Sequence, residues 1–125
     1  MRNIFPGIFV CLFSLAAVCG CVAAPVKNLT VKGGEAVTYR CDNGERVMAR
    51  YYSLSDKSLD FVKVRMPNGR EYTLPQVLSA SGVRYSDDRE LVWWTKGSSA
   101  FAEMRDRNGE WQVRYDNCTE TVQTR

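Results

Sequence analysis

Residues 35–54 read EAVTYRCDNGERVMARYYSL, and this stretch decides the fold. In its first part, Val37, Tyr39 and Cys41 alternate with residues that point to the other side of an extended chain. Such alternation is typical of a strand with one buried face. The Asn43-Gly44 pair interrupts the pattern, which resumes over residues 46–54. Because Asn-Gly supplies the positive φ angles that tight turns require, the stretch predicts a β-hairpin.

The same pattern recurs along the rest of the chain. Asn68-Gly69 and Asn108-Gly109 also separate alternating segments, so each predicts a further hairpin. The predicted strands are residues 35–41, 46–54, 59–66, 70–78, 91–96, 100–106 and 110–118. No segment of comparable length has a helical period. The sequence therefore predicts an all-β fold, in which a small up-and-down antiparallel sheet curls into a barrel or sandwich and so protects its edges.

The N-terminal residues have the pattern of a secretory signal. Arg2 precedes an apolar run that ends at Val18, and this run is shorter than the ~20 residues that a membrane-spanning helix needs. Val18-Cys19-Gly20-Cys21 resembles a bacterial lipobox. It predicts a lipoprotein signal peptide at residues 1–20 and lipidation of Cys21. Cleavage after Ala24 is the alternative, and it would release a soluble exported protein.

The remaining chain divides into a tether and one domain. Residues 21–34 are short and polar and are predicted to form the lipidated tether, while residues 35–125 form the domain. Val22 follows the lipidated cysteine, where an aspartate is associated with retention in the inner membrane. The sequence therefore predicts an anchor in the outer membrane, with the domain facing the periplasm.

The cysteines agree with this processing. Of the five, Cys11 and Cys19 leave with the signal peptide and Cys21 carries the lipid. Cys41 and Cys118 remain, in a compartment where disulfides persist, and they are predicted to pair. Because they end the first and last predicted strands, their disulfide would tie the two ends of the sheet together.

The composition excludes several function classes. The chain has no histidine, so the commonest general base and metal ligand is absent. It has no phosphate-binding glycine loop, and its 17 basic and 14 acidic residues are interspersed, which argues against nucleic-acid binding. A Ser81–Lys96 hydrolase dyad would need a buried lysine, whereas Lys96 precedes Gly97-Ser98-Ser99 and is expected to be exposed. We therefore expect no catalysis, no cofactor and no metal.

Two motifs in the second half resemble a known family. Ser81-Gly82-Val83-Arg84-Tyr85 and Trp94-Thr95-Lys96-Gly97 are similar to the signature of the family of membrane-bound lysozyme inhibitors of c-type lysozyme. The likeness extends to residues 39–44, residues 69–75 and Cys118. In one respect the chain departs from the family pattern, because Ser81 and Lys96 are one residue further apart. The extra residue lies within residues 86–93, which leaves the pairing of this hairpin open.

The resemblance implies a fold and a mechanism. The fold would be a flattened antiparallel barrel of eight strands that plugs the lysozyme cleft. Ser81 and Lys96 would reach the two catalytic carboxylates of the enzyme. Such enzymes keep one carboxyl group protonated and the other ionised, so a hydroxyl suits the first and a permanent cation the second. The other residues expected at the contact are Gly82, Arg84, Tyr85 and Gly97.

Other interpretations stay open. The barrel could belong to a structural or adhesive envelope lipoprotein, because a fold does not fix a function. It could also be a carbohydrate-binding module that uses Trp93, Tyr85 and Arg84.

Trp93 and Trp94 face opposite sides of a strand, and Trp94 is predicted to be the core residue, with Trp93 partly exposed. Tyr85 and Arg84 either stack within the loop or line the contact, and a homodimer is left open.

Overall fold

A computed structural model describes Gly20 and residues 27–122. The predicted signal peptide, apart from Gly20, and the predicted lipidation site Cys21 lie outside the described residues. Within the part of the chain that the structure describes, no helix is long and apolar enough to cross a bilayer.

The described residues form a closed barrel of eight antiparallel strands, each paired with its neighbours in chain order. The strands are β1 (Val31–Arg40), β2 (Arg46–Leu54), β3 (Asp60–Arg65), β4 (Glu71–Val77), β5 (Val83–Ser86), β6 (Leu91–Lys96), β7 (Ser99–Arg105) and β8 (Trp111–Glu120). The all-β antiparallel barrel and its strand number are confirmed. The seven predicted segments all contain strands, and the alternation of apolar and polar residues did not reveal β5, which is only four residues long.

The first strand begins earlier than predicted. β1 starts at Val31, so residues 31–34 of the predicted tether are part of the barrel. A register shift between Gly33 and Ala36 interrupts its pairing with β2. This irregularity and the two glycines at 33 and 34 hide the strand from a search for strict alternation, because glycine in a strand usually marks a bulge.

The three Asn-Gly hairpins are confirmed, with a difference in the turn. They connect β1 to β2, β3 to β4 and β7 to β8. In the first, Gly44 has a φ of 81° and its N–H donates to the Cys41 carbonyl, while Asn43 does not have a positive φ. This is the pattern of a type I turn followed by a left-handed glycine rather than of a two-residue hairpin loop. All three turns lie at one end of the barrel.

The core fills the inside of the barrel with side chains from alternate positions. Val37, Tyr39 and Cys41 of the opening stretch face inward, as predicted. The largest fully buried side chains of the barrel include Trp93, Tyr39, Leu74 and Leu91. Such a packed interior fixes the register of each strand, because a slip of one residue would turn apolar side chains outward.

The barrel closes along a short seam between β1 and β8. Only two residue pairs join these strands, Tyr39 with Glu120 and Arg40 with Thr119. The predicted disulfide between Cys41 and Cys118 is present beside this seam. The covalent link therefore reinforces the closure of the barrel beside one of its two shortest strand pairings, since β4 and β5 also share two residue pairs.

Candidate functional site

Residues 79–82, here called the 79–82 loop, project from the end of the barrel opposite the Asn-Gly turns. Ser81 and Gly82 are exposed there, next to Leu78, whose side chain is 96% exposed. The hydroxyl of Ser79 donates to the carbonyl of Gly82 at 3.0 Å. The indole nitrogen of Trp94 donates to the carbonyl of Ser81 at 2.8 Å. The loop is thus exposed but fixed at two of its carbonyl groups.

Gly82 brings the loop against β6. Its φ is 65°, in the left-handed region that favours glycine. A Cβ at this position would collide with the carbonyl oxygen of Thr95 and lie 2.8 Å from Cγ of Lys96. Only glycine permits this close approach. As a result, the two sequence motifs, which contribute Ser81 and Lys96, meet at the same end of the barrel.

Lys96 ends β6 and is exposed. Its Nζ lies 5.4 Å from the centre of the Trp94 ring, and Cζ of Arg84 lies 5.8 Å from that centre. Both distances fall within the range of cation–π contacts. Among residues 27–122, neither Lys96 nor Arg84 forms a salt bridge. The site therefore presents two cations whose charges are not neutralised by a paired carboxylate in the described part of the chain.

Trp94 is an outer-face residue of this site, so the prediction for the tryptophan pair is wrong. Trp93 is fully buried and its indole donates to the Tyr51 hydroxyl at 3.0 Å, while Trp94 is half-buried and stacks on Phe101. The two-residue period of a strand predicts this placement of the two tryptophans. Positions 94 and 96 share one face, and an exposed Lys96 therefore places Trp94 outside.

The pairing of β5 with β6 resolves the question that the extra residue raised. Residue pairs run from Val83–Thr95 to Ser86–Val92 without a register shift. The hairpin therefore has no irregularity beside the site, and its unpaired residues lie in the turn after Ser86.

This turn, residues 87–90, lies at the opposite end of the hairpin from Lys96. The Asp87 carboxylate accepts hydrogen bonds from the backbone N–H groups of Arg89, Glu90 and Leu91. Partial burial acts to raise the pKa of Asp87, but these three donors outweigh it and lower the pKa. The carboxylate thus holds the turn as a side-chain cap. Across the four residues of β5, this acidic turn is about 13 Å from the 79–82 loop.

Comparison with known proteins identifies the family. A family model described as membrane-bound lysozyme-inhibitor of c-type lysozyme matches residues 39–111, more than half of the chain. A relative from Yersinia enterocolitica, named membrane-bound lysozyme inhibitor of C-type lysozyme, is 31% identical over 99 residues, which cover 77% of this chain and 79% of the relative. The chain belongs to this family of membrane-bound lysozyme inhibitors.

Two further relatives of the same name are shorter matches. The protein from Pseudomonas aeruginosa is 35% identical over 65 residues, and the protein from Cupriavidus necator is 36% identical over 62 residues. These alignments cover 52% and 50% of this chain. The chain spans about half the length of each of these two relatives, 49% and 46% respectively.

A solved structure of the family has the same fold. The crystal structure of Pseudomonas aeruginosa MliC in complex with hen egg white lysozyme matches with a TM-score of 0.56 and 24% sequence identity. The match covers 80% of this chain and 92% of the MliC chain. At this identity the likeness establishes the barrel fold alone.

Membership of the inhibitor family confirms two predictions. The resemblance found in the motifs is confirmed, and the chain is not an enzyme, since the family and its relatives are named as inhibitors. Within residues 27–122 and Gly20, no cluster of three or more histidine, cysteine or acidic side chains could hold a metal ion.

Tyr85 does not fit the contact role that the inhibitor motif suggested for it. The side chain is only 8% exposed and its ring lies 5.7 Å from that of Tyr51 inside the barrel. Burial, reinforced by the nearby Tyr51 and Asp60, raises the pKa of Tyr85 to about 12. The structure thus favours the alternative in which Tyr85 stacks. With Trp93 also buried, two of the three residues considered for carbohydrate binding are not available to a sugar.

Proposed function

We propose that the protein inhibits c-type lysozyme by inserting the 79–82 loop and the turn after Lys96 into the active-site cleft. Ser81 and Lys96 contact the catalytic carboxylates, and Gly82, Arg84 and Gly97 surround them. Tyr85 holds β5 from inside the barrel. One observation carries the proposal: Gly82 packs against β6 beside Cγ of Lys96, so the exposed hydroxyl and the exposed ammonium group lie on adjacent elements.

The spacing suits a pair of carboxylates. In a retaining glycosidase the two carboxyl groups are about 5–5.5 Å apart. Neighbouring strands are separated by about 4.8 Å, so groups on β6 and on the loop before β5 can reach both carboxyls at once. The hydroxyl serves the protonated carboxyl group as an acceptor, and the ammonium group serves the ionised one as a donor.

The inhibitor can occupy the cleft without being cut. It presents peptide backbone and short side chains, and it has no glycosidic bond at the position of the reacting sugar. The contacts gain strength as water leaves the cleft, because charged hydrogen bonds in a dry site are worth about 1.5–3 kcal/mol each. The unpaired state of Lys96 and Arg84 favours this use, since neither has to leave a partner in the described part of the chain.

The relatives support the choice of partner and location. They are named inhibitors of C-type lysozyme, and the Pseudomonas aeruginosa MliC crystal contains hen egg white lysozyme. They are also named membrane-bound. We therefore propose that the protein is anchored through a lipid on Cys21 in the outer membrane, facing the periplasm, where it protects peptidoglycan.

A lysis assay tests the proposed function. Residues 21–125 carrying Cys21→Ser should slow the clearing of a bacterial wall suspension by c-type lysozyme at micromolar concentration, and g-type and i-type lysozymes serve as comparison enzymes. If c-type lysozyme is unaffected at micromolar excess, the proposal is wrong and an adhesive role gains support. Binding of peptidoglycan fragments in the absence of lysozyme would instead support a carbohydrate-binding module.

A further inference from the structure

Trp94 connects the two groups that the proposed function places in the enzyme cleft. Its indole nitrogen donates to the Ser81 carbonyl at 2.8 Å, and a Cβ on Gly82 would lie 3.1 Å from that same nitrogen. Its ring lies 5.4 Å from Nζ of Lys96. One side chain therefore contacts the loop that carries the hydroxyl and also the lysine that carries the charge.

The tryptophan is itself held firmly. It pairs across the sheet with Arg84 on one side and with Phe101 on the other. Its ring stacks on that of Phe101 at a centroid distance of 5.5 Å and an angle of 28°. It is thus supported by two neighbouring strands of the barrel, while residues 80–82 of the loop are exposed.

We propose that Trp94 is a positioning residue for lysozyme binding: its indole N–H and ring fix the Ser81 carbonyl and the Lys96 side chain relative to each other before the enzyme arrives. This inference rests on the proposed function. A loop that is ordered in the free protein loses little conformational freedom on binding, so pre-organisation raises affinity without adding a contact to the enzyme.

The first test measures loop order in the free protein. Trp94→Phe keeps an aromatic ring but removes the N–H donor. Backbone order parameters of residues 79–82, measured by NMR relaxation, should fall from the range of rigid backbone, about 0.85, toward about 0.6. Trp111→Phe is the matched control, because Trp111 lies on β8 at the other end of the barrel beneath Arg105. Unchanged order parameters in the Trp94→Phe variant would overturn the inference whether or not the protein binds lysozyme.

The second test measures inhibition. Trp94→Phe should weaken inhibition about tenfold, as expected for one lost hydrogen bond, while Trp111→Phe should leave it unchanged. The double variant Trp94→Phe with Ser81→Ala should be less impaired than the product of the single effects, because both act through the same loop. Independent, multiplicative effects would overturn the positioning role and leave the proposed function intact. If Ser81→Ala itself has no effect on inhibition, the proposed function fails instead.

Discussion

Ser81 and Lys96 are the residues whose removal should separate binding from stability. Both are exposed, and surface substitutions usually change the free energy of unfolding by no more than about 0.5 kcal/mol. In the proposed complex, replacing Ser81 removes a hydrogen bond to the protonated catalytic carboxyl group, and replacing Lys96 removes one to the ionised carboxylate. We expect Ser81→Ala and Lys96→Ala each to weaken lysozyme inhibition by about 10- to 100-fold, as measured by the inhibition constant in a lysis assay.

The control for the charge change is Arg107→Ala, which removes an exposed cation from the Asn-Gly turn at the opposite end of the barrel. Its inhibition constant should match that of the unaltered protein, since weak long-range attraction is screened within about 10 Å at ordinary salt. Loss of thermal stability in both Ser81→Ala and Lys96→Ala would show that these residues are structural and would contradict their assignment.

At the residue scale, sequence reasoning placed the exposed motif residues more accurately than the aromatic side chains that pack beside them. The motif residues Ser81, Gly82 and Lys96 lie together as the resemblance implied. Trp94 was assigned to the core by its position in the motif, although its place two residues before an exposed lysine puts it on the outer face. Tyr85 was assigned to the contact by motif position, and only the register of β5 shows that it faces inward.

At the element scale, the turn after β5 should respond to pH through Asp87. Because the pKa of Asp87 is lower in the folded than in the unfolded state, its ionised carboxylate stabilises the fold above about pH 4. This stabilisation is lost as the pH falls through the lowered pKa. Asp87→Asn keeps an acceptor oxygen but removes the charge. It should lower the free energy of unfolding by about 0.5–1 kcal/mol at pH 7, because the turn is partly solvated. The difference should shrink toward zero as the pH falls through the lowered pKa of Asp87.

Urea unfolding at a series of pH values measures this effect. Glu110→Gln is a suitable comparison, because Glu110 is an exposed carboxylate whose side chain accepts no hydrogen bond within the described residues. Glu110→Gln should change the free energy of unfolding little at every pH. If the destabilisation by Asp87→Asn instead grows as the pH falls, the ionised carboxylate does not stabilise the fold and this prediction is wrong.

The strands themselves were largely predictable, and the exceptions have physical causes. Alternation detects a strand whose one face is buried and whose pairing is regular, which is the case for β2, β3 and β4. It misses β5, which has four residues and a buried polar Ser86. It also misses the first residues of β1, which precede the register shift. The contact between the 79–82 loop and Lys96 depends on the register of β5 with β6, which one sequence without its fold does not specify.

At the scale of the whole molecule, the disulfide should be the largest single contribution to stability. It links residues 77 positions apart, and the loop-entropy estimate for such a constraint is about 4 kcal/mol. The double variant Cys41→Ser, Cys118→Ser should therefore lose about that much free energy of unfolding, as measured by urea titration. The unaltered protein under a thiol reductant, with reduction verified by mass spectrometry, should behave in the same way. An unchanged unfolding midpoint in either case would contradict this expectation.

The short seam between β1 and β8 should make the folded state of the protein depend on its redox surroundings. Cys118 pairs with Ala100, and Glu120 donates its N–H to the Ser98 carbonyl, so the bridge lies directly behind the turn that follows Lys96. In the cytosol, where glutathione keeps thiols reduced, the two residue pairs and the few hydrogen bonds beside them, such as that from the Thr121 N–H to the Thr38 carbonyl, would have to keep this side of the barrel closed. The barrel would then reach its closed form, which the proposed binding requires, after export and formation of the disulfide.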